Sequence, residues 1–308
     1  VSGLVRVSPA RALLGLSSGG PMASDAVMLA VEATGRLAWQ ADLAEELVRS
    51  TFPKEPVSLL AHDMGTSVAT ELFARDLERK LGFDLDGALL FNGSIVLEKA
   101  SLTRSQKVLR SRFGGLAAKF SSERIFKREF GAIFSPEHPL SPDEAADQWS
   151  LIGYNDGRAL GHRLIHYLSE RERLTDRWHG AIRDWKGKLN LAWAELDPVA
   201  TTSVLEALIE LRPGVRVKRL PGLGHYPQIE DPDAIASALA EAEAGRTDAV
   251  AQPHRHGGRR HHRRDLRPRV HAPPVPAEDQ DQAGARADLH EHAILRWTHR
   301  LGDVLADG

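Results

Sequence analysis

Apolar residues along the middle of the chain alternate between two spacings, and the alternation predicts a layered fold. "QADLAEELVRSTF" (40–52) places apolar side chains at 43, 44, 47 and 48, one face of a helix. "PVSLLA" (56–61) is a short apolar run after a proline, the pattern of a buried strand. "TSVATELFARDLERKLG" (66–82) is amphipathic and ends at a glycine, which predicts a helix and its stop. "GALLFN" (87–92), "KLNLAWA" (188–194) and "VRVKRL" (215–220) read as further strands. "TTSVLEALIELRPG" (201–214) and "PDAIASALAEAEA" (232–244) read as helices. Strand and helix in alternation imply an α/β fold, a mainly parallel sheet covered on both faces.

Three stretches break the alternation. Residues 98–186 are rich in Arg, Lys and aromatics and read as several helices, for example "SLTRSQKVLRSRFGGLAAKF" and "GHRLIHYLSERERLTDRWHGAI". A helical insertion between two strands predicts a cap, or lid, over the sheet's C-terminal edge, where open α/β sheets bind ligands. Residues 1–39 carry only weak apolar runs and are expected to be irregular. Residues 246–308 hold eight of the fourteen histidines and eleven arginines, with few aliphatic side chains before "AILRWTHRLGDVLADG". Such a tail buries too little apolar area to offset chain entropy, so disorder is expected. The expected organisation is a core at 40–97 and 187–245, a cap at 98–186, and two segments outside both. No internal repeat stands out.

Composition changes the picture mostly by exclusion. The net charge of −2 exerts no global pull toward nucleic acid or anionic membrane. The basic run "HRHGGRRHHRR" is the one feature that points toward nucleic acid or metal. There is no cysteine, hence no disulfide and no thiolate chemistry. No apolar run is long enough to span a bilayer and no basic-then-apolar leader opens the chain, so a cytoplasmic protein is expected.

The chemistry concentrates at Ala61-His62-Asp63-Met64-Gly65-Thr66, where the predicted strand 56–61 turns into the predicted helix 66–82. A side chain on so sharp a turn needs small neighbours two before it and two and three after it. Ala61, Gly65 and Thr66 meet that need, giving the form of a nucleophile elbow with Asp63 at its tip. Aspartate is also a good N-cap, and "HDMG" alone does not separate the two roles. Two later residues do bear on it. Asp197, in "ELDPVA", follows the strand 188–194, and His225, in "PGLGHYPQIEDP", follows the strand 215–220. Nucleophile, acid and histidine thus come in the order 63, 197, 225, all where the alternation places the sheet's C-terminal edge.

"LLAHDMG", "RLIHYLSER", "ELDPVA" and "GLGHYPQIEDP" resemble the α/β-hydrolases with an aspartate nucleophile: haloalkane dehalogenases, epoxide hydrolases and the related mesoderm-specific transcript group. The resemblance covers about residues 40 to 245. It implies an α/β-hydrolase fold with a helical lid, and a hydrolase with Asp63, Asp197 and His225 as its catalytic residues. The Met64 backbone N–H would be one oxyanion donor. An ionised carboxylate can displace a leaving group at saturated carbon, and the resulting ester is then hydrolysed by water that His225 activates.

Dehalogenases of this family hold halide with a tryptophan directly after the nucleophile. Met64 stands there, so epoxides are the expected substrates and haloalkanes the second choice. Tyr167 matches one position of the lid tyrosines that protonate an epoxide oxygen. Trp149, Tyr154, Asn92 and His62 complete the candidate substrate-binding set. Neither cofactor nor metal is implied, and the expected partners are a small hydrophobic substrate and water. The family's strands ahead of the elbow, and its His-Gly-x-Pro oxyanion loop, have no match in 1–39. Gly19-Gly20-Pro21 lacks the histidine and reads as a turn. Incomplete N-terminal strands, in a truncated or frame-disturbed gene product, are therefore expected, and the missing oxyanion loop keeps a catalytically impaired binding protein of the same fold as a further alternative.

Overall fold

The computed structural model describes residues 4–8, 11–16, 37–52, 54 and 56–250, with the side chains of 1–36, 154–156 and 245–250 excepted. Six strands form one sheet in chain order: β1 (Leu4–Ser8), β2 (Arg11–Leu16), β3 (Val57–His62), β4 (Leu85–Phe91), β5 (Lys188–Ala194) and β6 (Arg216–Leu220). β1 pairs antiparallel with β2, and β2 through β6 run parallel. The segment 1–39, expected to be irregular, therefore supplies two strands. β2 is registered on β3 from Ala12 opposite Val57 to Leu16 opposite Ala61. Sequence could not place these strands, because their runs are short and their partner lies beyond a long crossover.

Helix α1 (Leu37–Thr51) leads into β3, and α2 (Met64–Leu77) leaves it. All six residues of β3 are buried, as are most of β4 and β5, the continuous burial of strands covered on both faces. α2 is buried from Gly65 to Ala74 and stops short of Gly82, because Arg79 takes a left-handed φ of 60°. Its Phe73 stacks on Trp185 at a centroid distance of 4.1 Å. Burying each such side chain stabilises the fold by about 1.5–3 kcal/mol.

Between β4 and β5 lie α3 (Arg104–Arg110), α4 (Gly114–Lys119), α5 (Glu123–Gly131), α6 (Pro142–Gly153), α7 (Gly161–Leu164), α8 (Tyr167–Arg173) and α9 (Thr175–Asp184). α9 does not belong with a lid. It packs along α2, with Trp178, Ala181 and Ile182 inside the main hydrophobic core. Glu71 of α2 accepts hydrogen bonds from Arg177 and Trp178, which fixes that packing. α10 (Thr202–Leu211), α11 (Pro227–Glu230) and α12 (Pro232–Val250) complete the fold. α12 runs past the expected boundary at 245, and the expected tail beyond Val250 lies outside the described residues. The C-terminal ends of β3, β4, β5 and β6 all open on one edge, where the loops carrying the candidate residues meet.

Candidate functional site

Asp63 stands between β3 and α2 with φ 45° and ψ −113°, a conformation L-residues rarely adopt and one that costs about 1–3 kcal/mol. It occupies the N-cap position of α2, yet its carboxylate makes no capping hydrogen bond. The turn is held through its carbonyl instead. Thr66 donates to it from Oγ1 at 2.6 Å and from the backbone N–H at 3.1 Å, and Arg171 from a terminal guanidinium nitrogen at 3.2 Å. Thr66 sits so close to the end of β4 that a Cβ at Gly93 would fall 2.0 Å from its Oγ1, which leaves glycine as the residue that fits.

The three residues expected to act together are brought together. His225 Nδ1 and Asp197 Oδ2 are 2.7 Å apart, and His225 Nε2 lies 3.7 Å from Asp63 Oδ2, close enough for an ion pair but too long for a hydrogen bond. Asp197 is buried and fully engaged. Its Oδ1 accepts from the N–H groups of Val199 and Ala200, and its Oδ2 also accepts from Asn92 at 2.8 Å. Both lone-pair sets are thus spent on orienting the carboxylate toward the imidazole.

The histidine loop is stitched to the inserted helical segment. The His225 N–H donates to the Ile133 carbonyl at 2.8 Å, and the N–H groups of Gly224 and Ser135 both donate to Glu230 Oε2. A Cβ at Gly224 would meet the Ile133 oxygen and the Ser135 nitrogen, each at 2.7 Å. Tyr226 follows, packed against Phe130 and Phe134, and Phe126 links Phe130 to Trp149. An aromatic wall therefore runs from the inserted helices to the histidine.

Burial alone would raise the Asp63 pKa. The neighbouring His225 outweighs it, followed by Arg171 and His62, and holds the carboxyl well below the usual carboxylate range. Burial would lower the His225 pKa, but Asp197 and then Asp63 push it up to about 10. The two carboxylates thus favour the imidazolium form of His225, with a buried guanidinium behind. His62, wholly buried, is lowered to about 4 by burial and by the charge on His225.

Two residues expected to touch substrate have other positions. Asn92, at φ 46°, is buried, and its amide clamps Asp197 and both backbone groups of Ala194. His62 is buried beneath the histidine loop, with Nε2 at 2.7 Å from the His225 carbonyl and its ring stacked on Phe91. Both lie behind the site and position its parts. Tyr167 is buried near the elbow; its hydroxyl accepts from Gln106, and the Asp63 charge helps hold its pKa up near 12, after burial. Trp149 packs against Phe126 and under the Arg158 guanidinium. The side chain of Tyr154 and the Gly19-Gly20-Pro21 turn lie outside the described residues. Met64 is the first residue of α2, so its N–H is one of the four that a helix start leaves without an intrahelical partner.

The residue not anticipated is Arg171. It is 1% exposed, donates from Nε to Ser67 at 2.9 Å, stacks over the Tyr167 ring, and reaches within 3.7 Å of Asp63 Oδ1. The two carboxylate oxygens of Asp63 thus face different cations, Oδ2 toward His225 and Oδ1 toward Arg171. Among the described residues no His, Asp and Glu set gathers as metal ligands would.

Comparison with known proteins follows the same chain segments. The sequence profile of the alpha/beta hydrolase family matches residues 29–238. LipZ of Mycobacterium tuberculosis, a protein named as a hydrolase, is 57% identical over 199 residues, covering 65% of this chain and 69% of LipZ. The mesoderm-specific transcript homolog protein of Bos taurus is 30% identical over 207 residues, covering 65% of this chain and 61% of that protein. The crystal structure of an alpha/beta hydrolase fold protein from Burkholderia ambifaria superposes with a TM-score of 0.60 at 18% identity, over 78% of this chain and 92% of that one.

Proposed function

The chain belongs to the alpha/beta hydrolase family, and within it we propose a hydrolase that works through an alkyl ester on Asp63, with an epoxide as substrate. One observation carries this reading: the Asp63 carboxylate, free of any capping bond, stands on a strained turn opposite a histidine whose other nitrogen is bonded to a buried aspartate. A structural cap requires none of those three features.

In the first step Asp63 Oδ2 attacks an epoxide carbon and the ring C–O bond breaks. Tyr167, neutral at physiological pH because its pKa lies near 12, gives its proton to the alkoxide. Ester formation removes one of the two negative charges that hold His225 protonated. Its pKa falls, its proton passes through solvent to the Tyr167 phenolate, and it becomes a base. It then takes a proton from water, and the hydroxide adds to Cγ of Asp63. The negative charge of the tetrahedral intermediate develops on Oδ1, facing Arg171 and the start of α2 with its Met64 N–H. Collapse expels the diol's oxygen, which takes the proton from His225. Asp63 is left as a carboxyl group, whose proton passes to His225 and restores the resting site.

The aromatic wall from Trp149 to Tyr226 suits an apolar substrate. Haloalkane dehalogenation is less well supported, because Met64 offers no indole N–H for a halide. Turnover of a mono-substituted aryl epoxide tests the proposal. Asp63→Asn should lower the rate by more than ~10³-fold while leaving thermal unfolding cooperative; a variant as active as the parent would refute it.

A further inference from the structure

Between Thr103 and Phe120 the inserted segment carries Arg104, Lys107, Arg112 and Lys119, all exposed, besides Arg110, which pairs with Glu172 at 2.7 Å, and no acidic residue. The same stretch carries unusually exposed apolar side chains: Phe120 at 71%, Leu116 at 58%, Phe113 at 57% and Val108 at 48%. Phe113, Leu116 and Phe120 follow i, i+3, i+7 spacing, with Phe113 and Phe120 capping the two ends of α4 and Leu116 between them. The opposite face is the one that packs, with Gly114 and Ala118 buried and Ala118 close to Gly161 of α7. The outward face is therefore not a piece of core left over by poor packing. It is a second apolar surface in a basic stretch of chain, with the Arg112 guanidinium lying 4.6 Å over the Phe113 ring.

We propose that this face docks on an anionic lipid surface. Aromatic and aliphatic side chains enter the boundary between headgroups and acyl chains, and the Lys and Arg of the same stretch meet lipid phosphate and carboxylate. No helix among the described residues is long and apolar enough to cross a membrane, so the contact is peripheral. The charge pattern disfavours a second copy of the chain, since two such faces would bring four cations against four. It also disfavours nucleic acid, because Val108 and Leu116 gain nothing beside phosphates. The net charge of −2 conceals the patch, as acidic residues elsewhere balance it. The patch adjoins the candidate site: Gln106 of α3 donates to the Tyr167 hydroxyl. A docked molecule would thus receive apolar compounds directly from the bilayer.

Co-sedimentation of the full chain with vesicles tests this, comparing phosphatidylcholine alone with equal parts phosphatidylcholine and phosphatidylserine. Binding should require phosphatidylserine and weaken with salt. The double variant Phe113→Ser, Phe120→Ser keeps every charge and should lower the bound fraction at least ~10-fold. Binding that persists in this variant would locate the contact elsewhere, for example in the basic stretch after 250, and overturn the proposal. So would absence of vesicle binding, whether the two phenylalanines prove to support self-association in sedimentation velocity or binding to duplex DNA.

Discussion

Each oxygen of the Asp63 carboxylate has its own cation, and the division of labour follows from that. In the proposed reaction the oxygen facing His225 attacks and later leaves with product, and the oxygen facing Arg171 carries the charge of the hydrolytic intermediate. Arg171→Gln should therefore slow ester hydrolysis about 10²-fold, the usual effect of losing one oxyanion donor, while ester formation slows much less. Rapid-quench measurement would then find the ester accumulating. Equal slowing of both steps would mean that Arg171 only scaffolds the elbow through the Asp63 carbonyl and Ser67. Asp63, Asp197 and His225 were legible as candidates, because each lies in the loop that follows a strand local patterning reveals. Asn92, Arg171 and Glu230 were not legible in these roles. Their partners lie 105, 108 and 95 positions away, and no local pattern encodes a contact of that range.

At the scale of elements, the site depends on two segments that touch without packing space to spare. The histidine loop rests on Ile133–Ser135 through the His225 N–H on the Ile133 carbonyl, the Ser135 N–H on the Glu230 carboxylate and the close approach of Gly224. Gly224→Ala must push the loop off that support. The expected cost is about 1–3 kcal/mol of stability, read as a lowered Tm. A displacement of His225 by about 1 Å should also lower kcat ~10²-fold with little change in KM. Most strands and helices of the core could be read from apolar spacing alone. The extent of the inserted segment could not. α9 is dense in Arg and Trp, which reads as lid, yet Arg177 and Trp178 spend their polar groups on Glu71 and the rest packs into the core.

The molecule's pH response combines two histidines shifted in opposite directions. His62 is lowered to about 4, so between that value and its unfolded value near 6.5 the unfolded chain holds a proton the folded chain lacks, and stability rises with pH. His225 is raised to about 10, so from about 6.5 upward the folded chain holds a proton the unfolded chain has lost, and stability falls. Asp63, depressed, adds stability above its unfolded pKa and loses it in stronger acid. Denaturant midpoints should peak near pH 6.5, with His62→Gln flattening the acid limb and His225→Gln the alkaline one. A profile unchanged by either substitution would contradict the assignment. On this scale the sheet edge was foreseen and its N-terminal neighbour was not, since β2 gains its identity only by pairing with β3 across residues 17–56.

The central claim is a covalent bond between substrate carbon and Asp63. It is tested most directly by peptide mass spectrometry of the His225→Gln variant after exposure to styrene oxide. A stable adduct of one epoxide mass is expected on the peptide containing Asp63, absent when Asp63 is also changed to Asn. A folded His225→Gln variant with no adduct at Asp63, from a parent that hydrolyses the same epoxide, would contradict it.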